Sequence, residues 1–218
     1  MRQLIITTLF FLPGLVSSSA QDLTVDTYCL KLKKPTKEKY FNGVNPDSIP
    51  VEWRTLYEKG LNDWGKLLSR FNEEPLINSS REVFRSITFG AFNDPKDVQV
   101  MRIEKRDNKV VVTVKLIEKL KDSTILVHRK ILGIEVWDKF EDVANKYFIS
   151  RPSYKSTKDA IHDGATTVFE GYLTNSYYYV ERHGIEITDP DLQEINRFLF
   201  KEAGDIFGVN CKKNTREN

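Results

Sequence analysis

From Val98 to Glu118 the chain alternates apolar and polar residues on either side of a single break, Asp107-Asn108. A period of two is the mark of strands with distinct faces, and two such runs joined by a two-residue turn make an antiparallel hairpin. The turn fixes the register. Ile103 falls opposite Val112 and Met101 opposite Val114 on one face, while Glu104, Arg102 and Lys115 take the other. A slip of one residue would carry the apolar set to the polar side, so pattern and turn specify the same pairing. A chain organised around such a hairpin is committed to an antiparallel sheet, and its remaining segments must cover that sheet.

Those segments read in kind. Val83, Arg85, Ile87 and Phe89 alternate with Phe84, Ser86 and Thr88 as a strand, and Ser123 to Val136 is a further strand bent at Gly133. Thr166 to Leu173 and Tyr177 to Arg182 flank Thr174-Asn175-Ser176 as a second hairpin. Three stretches carry helical spacing. The first opens at Ser48-Ile49-Pro50 and repeats Trp53, Leu56, Tyr57, Leu61, Trp64, Leu67, Leu68 and Phe71 until Pro75. The second opens on Asp138 and Glu141 as a capping box and carries Phe140, Val143, Ala144, Tyr147 and Phe148. The third starts at Asp189-Pro190, carries Leu192, Ile195, Phe198, Leu199 and Ile206, and closes at Gly208. The expected class is α+β, a mainly antiparallel sheet of about six strands with three helices packed on it.

The start of the chain gives an address. Met1-Arg2-Gln3, the uncharged run Leu4–Val16 and the small residues Ser17-Ser18-Ser19-Ala20 have the layout of a secretory signal peptide. Residues 1–20 are therefore expected to be removed, leaving 21–218 as one domain, secreted or periplasmic, with no further run long enough to span a bilayer. Within it, 21–48 reads as an irregular Lys-rich arm and 212–218 as a frayed tail. In an oxidising compartment two cysteines usually pair, so Cys29 and Cys211 are expected to form a disulfide that closes nearly the whole domain. With 33 Lys and Arg against 31 Asp and Glu, the chain has no global field to steer a polyanion, which argues against nucleic acid.

The candidate chemistry is sparse. On the second hairpin Phe169, Leu173, Tyr178 and Val180 share one face, and Glu170, Tyr172, Tyr177, Tyr179 and Glu181 the other. Two carboxylates among tyrosines can bind a sugar or work as an acid/base pair. Opposing Glu170 to Glu181 would set like charges against each other, so the register pairing Glu170 with Tyr179 is favoured. The more ordinary reading is a solvated face with aromatic cover. His162-Asp163 and His183 would need to converge to hold zinc, and His128 stands alone in a strand, so no metal or cofactor is expected. Ser79 and Ser153 lie in polar loops without a nucleophile motif. Lys31, Lys33, Lys34, Lys37 and Lys39 after Cys29, with Lys212, Lys213 and Arg216 after Cys211, would be gathered by the disulfide into a basic patch suited to an anionic surface. Asn78-Ser79-Ser80 fits a glycosylation sequon.

The segment from Asp163-Gly164 through Glu170, Tyr179 and Arg182 to the last helix resembles the C-terminal part of uncharacterised exported bacterial proteins. The resemblance covers about a quarter of the chain; it implies an envelope location and no activity. The expectation is an exported, non-catalytic binding protein whose partner is a protein, a glycan or an envelope surface. Two alternatives stand beside it. One is a glycan hydrolase using Glu170 and Glu181. The other is a carrier holding an apolar ligand under the 50–72 helix, among Trp53, Trp64 and Phe71.

Overall fold

The computed structural model describes residues 24–31, 65–77, 79–90, 98–117, 124–152 and 165–204. Its strands are β1 (Thr24–Lys31), β2 (Val83–Phe89), β3 (Gln99–Arg106), β4 (Lys109–Ile117), β5 (Thr124–Gly133), β6 (Thr166–Leu173) and β7 (Ser176–His183). Its helices are α1 (65–70), α2 (Glu135–Tyr147), the single turn α3 (Ile185–Thr188) and α4 (Pro190–Ala203). The seven strands form one open sheet in the order β1-β5-β4-β3-β2-β6-β7, every pair antiparallel. The α+β class is as expected.

Both hairpins have the expected register, the first as its turn fixes it and the second as favoured by keeping Glu170 from facing Glu181. Ile103 pairs with Val112 and Met101 with Val114, around a turn in which Asp107 takes a positive φ of 50°. In the second hairpin Glu170 pairs with Tyr179, and the turn is the two residues Thr174 and Asn175, both left-handed at 49° and 61°. Two positive φ angles in succession match the right-handed twist of the flanking strands, and Ser176 consequently belongs to β7.

The sheet is covered on both faces, which is why its central strands carry so little exposed surface. Phe84, Met101, Ile103, Val112, Val114, Phe169 and Val180 pack against α2 and α4. The helices meet them with Val136, Trp137, Phe140 and Ala144 from α2 and Leu192, Ile195, Leu199 and Ala203 from α4. On the opposite face Ile87, Val100, Val127 and Val168 pack against Leu68 and Phe71 at the end of α1. The alternation in β2 thus separates two cores: Phe84 and Ser86 face one, Arg85 and Ile87 the other.

Four local expectations are corrected. Residues 24–31 are a strand and not part of an irregular arm; Thr24, Val25, Thr27, Tyr28 and Leu30 favour extended backbone, and the whole run pairs with β5. Helix α2 begins at Glu135 without a side-chain cap, so Asp138 and Glu141 lie inside it. Burying Val136 and Trp137 draws the helix start back onto the end of β5, ahead of the polar signal. Helix α4 ends at Ala203, where Gly204 at φ 80° turns the chain, and not at Gly208. The strand expected over Ser123–Val136 ends at Gly133, because Val136 is buried on the first turn of α2. Between β7 and α4 lies one helical turn, α3, entered through Gly184 at φ 57°. The expected helix over 50–72 is described only from residue 65.

Candidate functional site

One row of side chains across the sheet is polar although Val83, Ile87, Val100, Val111 and Val168 flank it on the same face. Tyr179, Glu170, Arg85, Arg102 and Thr113 occupy successive cross-strand positions from β7 to β4, on the face that α1 covers. Alternation in each strand sets the parity, and strand order brings the five into line. Arg85 and Glu170 are 0% exposed, an extreme state for an arginine and a carboxylate. Buried charge needs partners, and here it has them. Arg85 Nη2 contacts Glu170 Oε2, while Nη1 donates to Glu73 Oε2 at 3.1 Å and to the carbonyl oxygen of Glu74 at 2.9 Å.

Glu73 arrives from the segment that follows α1, where the backbone reverses at Asn72 with φ 53°. It collects three cations: Arg85, Arg102 Nη1 at 3.4 Å and Lys115 Nζ at 2.5 Å. Lys115 also donates to the carbonyl oxygens of Phe71 at 2.8 Å and Asn72 at 3.2 Å. Arg102 reaches onward to Glu104 at 2.9 Å, a carboxylate shared with Arg106 and Arg81. At the other end Tyr177 donates to Glu170 Oε1 at 3.3 Å, and Tyr179 to Glu181 Oε2 at 2.8 Å.

The two central carboxylates have opposite electrostatics. Burial works to raise Glu73, but Lys115, Arg85 and Arg102 outweigh it and hold the carboxyl at about 2. Burial pushes Glu170 up to about 8 against the hydrogen bond from Tyr177, and the Arg85 guanidinium beside it is divided between two carboxylates and a carbonyl. Burial also drives the Tyr177 phenol well above its ordinary value and lowers both Arg85 and Lys115. Two carboxyls on one cation, one ionised and one inclined to keep its proton, are what a site with fewer charges than oxygen ligands imposes.

The sequence-derived candidates fall unevenly on this frame. Glu170 is inside, not on a solvated face, and Glu181 is half-buried two residues along β7 from Tyr179 on the same face. Tyr172, Tyr177 and Tyr179 are half-buried, with Tyr172 and Tyr177 directly paired. His183 is exposed at the end of β7, within 3.0 Å of the Thr166 hydroxyl. His128 is buried in β5, its Nε2 3.2 Å from the Ala203 carbonyl, and burial pulls it below its ordinary value. Five strand spacings, about 24 Å, separate β5 from β7, so the structure does not bring these histidines together. Cys29 stands in β1 opposite Leu126. Ser79 is in the loop before β2, its hydroxyl bonded to the Arg81 carbonyl. Phe71 is buried against the sheet. Residues 1–20, Lys33, Lys34, Lys37, Lys39, Trp53, Trp64, Asn78, Ser153, His162, Asp163, Cys211, Lys212, Lys213 and Arg216 lie outside the described residues.

Two further features complete the polar inventory. Arg182, 2% exposed, donates to Asp189 at 3.1 Å and to the Pro152 carbonyl at 2.8 Å, which ties β7 to the start of α4 and to the segment that follows α2. A shallow open pocket of about 420 Å³ lies between α2 and α4, lined by Val143, Tyr147 and Phe198 with Asp142, Lys146 and Glu194 around them. No helix among the described residues is long and apolar enough to cross a membrane. The buried ion pair that the sequence did not disclose is Arg85 and Glu73. Its one signal was an arginine between Phe84 and Ile87, in a strand otherwise suited to burial on both faces. Comparison with protein-family models, curated proteins and solved structures returns no match.

Proposed function

We propose that this is an exported, non-catalytic binding protein that recognises a glycan on the tyrosine face of the β6–β7 hairpin. The observation that carries the reading is the state of Glu170. The best-placed acid/base candidate on that face is enclosed and engaged by Arg85 and Tyr177, as a structural partner would be. What the face offers a ligand is then Tyr172, Tyr177 and Tyr179, rings held in orientation by cross-strand pairing and, for two of them, by hydroxyl contacts to carboxylates. Aromatic rings with polar tips suit the apolar faces and hydroxyl edges of sugars.

The hydrolase reading keeps one supporting observation. A carboxyl pushed up to about 8 retains its proton near neutrality, as a general acid must, and Glu181 shares its face. Burial beneath the α1 side of the sheet counts against it, since an acid must reach the glycosidic oxygen.

One experiment separates the readings. The full chain is titrated calorimetrically with chito-oligosaccharides and soluble peptidoglycan fragments, and the same mixtures are assayed for new reducing ends. The expected result is saturable binding, about tenfold weaker in Tyr172→Ala/Tyr179→Ala, with no reducing ends formed; two lost aromatic contacts account for about that factor. Reducing ends that disappear in Glu170→Gln would make the protein an enzyme. Absence of saturable binding to either glycan would end the glycan assignment.

A further inference from the structure

We propose that Arg85, Arg102 and Lys115 form a carboxylate-binding site on the sheet, that Glu73 occupies it as a tethered ligand, and that an external carboxylate competes for it. Consecutive strands β2, β3 and β4 supply one cation each, and all three converge on a carboxylate that belongs to none of those strands. Glu73 sits on the connection between α1 and β2. The cations that bind its side chain also hold that connection's backbone, through the carbonyl oxygens of Phe71, Asn72 and Glu74. The strap and the ligand are therefore fastened by the same groups, and release of one loosens the other.

The site has capacity that Glu73 leaves unused. Arg85 Nε is buried without a hydrogen-bond partner among the described residues. An unmet guanidinium donor in a dry site is costly, and a freely placed ligand can meet donors that a tethered side chain misses. Charge sets the ligand class. Glu170 fills the far side of Arg85 and Glu104 engages Arg102, so what the three cations leave open to a ligand is the one seat that the Glu73 carboxylate takes. A monocarboxylate matches that seat, whereas a second carboxylate on the same ligand would stand against Glu170 and Glu104 at close quarters. The low pKa of Glu73, about 2, agrees with a carboxylate held by more cation than its own charge requires. The inference is independent of what the tyrosine face binds.

Glu73→Ala in the full chain empties the site. Its melting temperature is followed in sodium acetate, in sodium chloride at equal ionic strength, and in acetamide, which has the shape of acetate without its charge. Acetate is expected to recover at least half of the lost melting temperature, saturably and with a midpoint on the order of 10 mM for so small a ligand. Chloride and acetamide are expected not to. Equal recovery in acetamide would mean simple filling of a void, and no recovery in acetate would mean no site; either overturns the proposal. Should Glu73→Ala not fold in plain buffer, refolding from urea in acetate against acetamide decides the matter: recovery in acetate alone supports the site, and no difference overturns it. Competition is read in the wild type. Hydrogen exchange at the backbone amides of residues 71–74 should run severalfold faster in 0.5 M acetate than in chloride, a concentration well above the millimolar effective concentration of a tethered group. Unchanged exchange would overturn the tethered-ligand assignment.

Discussion

Glu170 makes the stability of the fold fall as the pH rises through neutrality. Unfolded, the carboxyl has its ordinary value of 4.5; folded, burial holds it at about 8. Between those values the folded state binds the proton and the unfolded state does not, so unfolding releases it and becomes easier as pH increases. The contribution is complete below pH 4.5 and is lost on passing upward through about 8. At 1.36 kcal/mol per pKa unit the full difference amounts to about 5 kcal/mol. Contact with Arg85 favours the ionised form and reduces this, and part of it is already lost by pH 5, so a loss of about 2–4 kcal/mol is expected between pH 5 and 8.5. That is a large part of the 5–15 kcal/mol typical of a domain. His128 works in the opposite sense, because burial lowers it and its stabilisation grows as pH rises past its folded value. Urea unfolding of wild type and Glu170→Gln at half-unit steps from pH 5 to 8.5 isolates the Glu170 part, since the histidine contribution is common to both. The glutamine keeps an oxygen for Arg85 and an amide beside Tyr177, so its own curve should lack the decline. A wild-type curve with no excess decline over Glu170→Gln would refute the reasoning and place Glu170 as an ordinary ionised partner of Arg85.

Glu73 should act on the acid side: held at about 2 when folded, it stabilises fully above pH 4.5 and loses that contribution as pH falls through 2, so the acid limb of wild type should be steeper than that of Glu73→Gln in the same unfolding assay. At pH 7 Glu73→Gln should cost about 3–5 kcal/mol, because it leaves Arg85 and Lys115 buried without their shared counter-charge. Trp137→Ala should cost about 3–5 kcal/mol by urea denaturation, as its ring is wholly enclosed between α2 and the sheet. Gly171→Ala should cost about 1–3 kcal/mol, since a Cβ there would stand 3.2 Å from the Phe84 ring and 3.3 Å from Phe148 and Leu173. Intact mass of the exported protein should place the mature start at Gln21, and alkylation without reductant should leave Cys29 and Cys211 unmodified.

The parts of this fold that the sequence disclosed are those decided within one hairpin. Asp107-Asn108 and Thr174-Asn175 each join runs whose alternation has a single consistent phase, and cross-strand repulsion between Glu170 and Glu181 selects the observed pairing of the second. The strand at 24–31 was hidden by its neighbourhood: a Lys-rich run and two turn signals follow it, and an edge strand needs only one partner, here β5, nearly 100 residues away in sequence. The start of α2 was misplaced because polar capping signals compete with apolar burial, and burying Trp137 prevailed.

Burial of a charge is decided by its partners and not by the residue itself, which is why the polar row was legible in pieces and not as a whole. The first hairpin already set Arg102, Glu104 and Lys115 on one face, and the alternation of β2 set Arg85 opposite to Phe84. Nothing local reports that β2 pairs with β3 on one side and β6 on the other, and that double pairing is what brings Arg85 against Glu170, 85 residues away. Nor does Glu73, one of two adjacent glutamates after an amphipathic helix, reveal that the helix end will close over this face. A solvated face and a buried ionic cluster share the same alternation. They differ only in the cover, and here the cover is itself held on by the ions beneath it: Lys115 and Arg85 bind the carbonyl oxygens of the segment that hides them. Burial and ion pairing on this face are therefore one cooperative event, and a substitution that frees either should expose both.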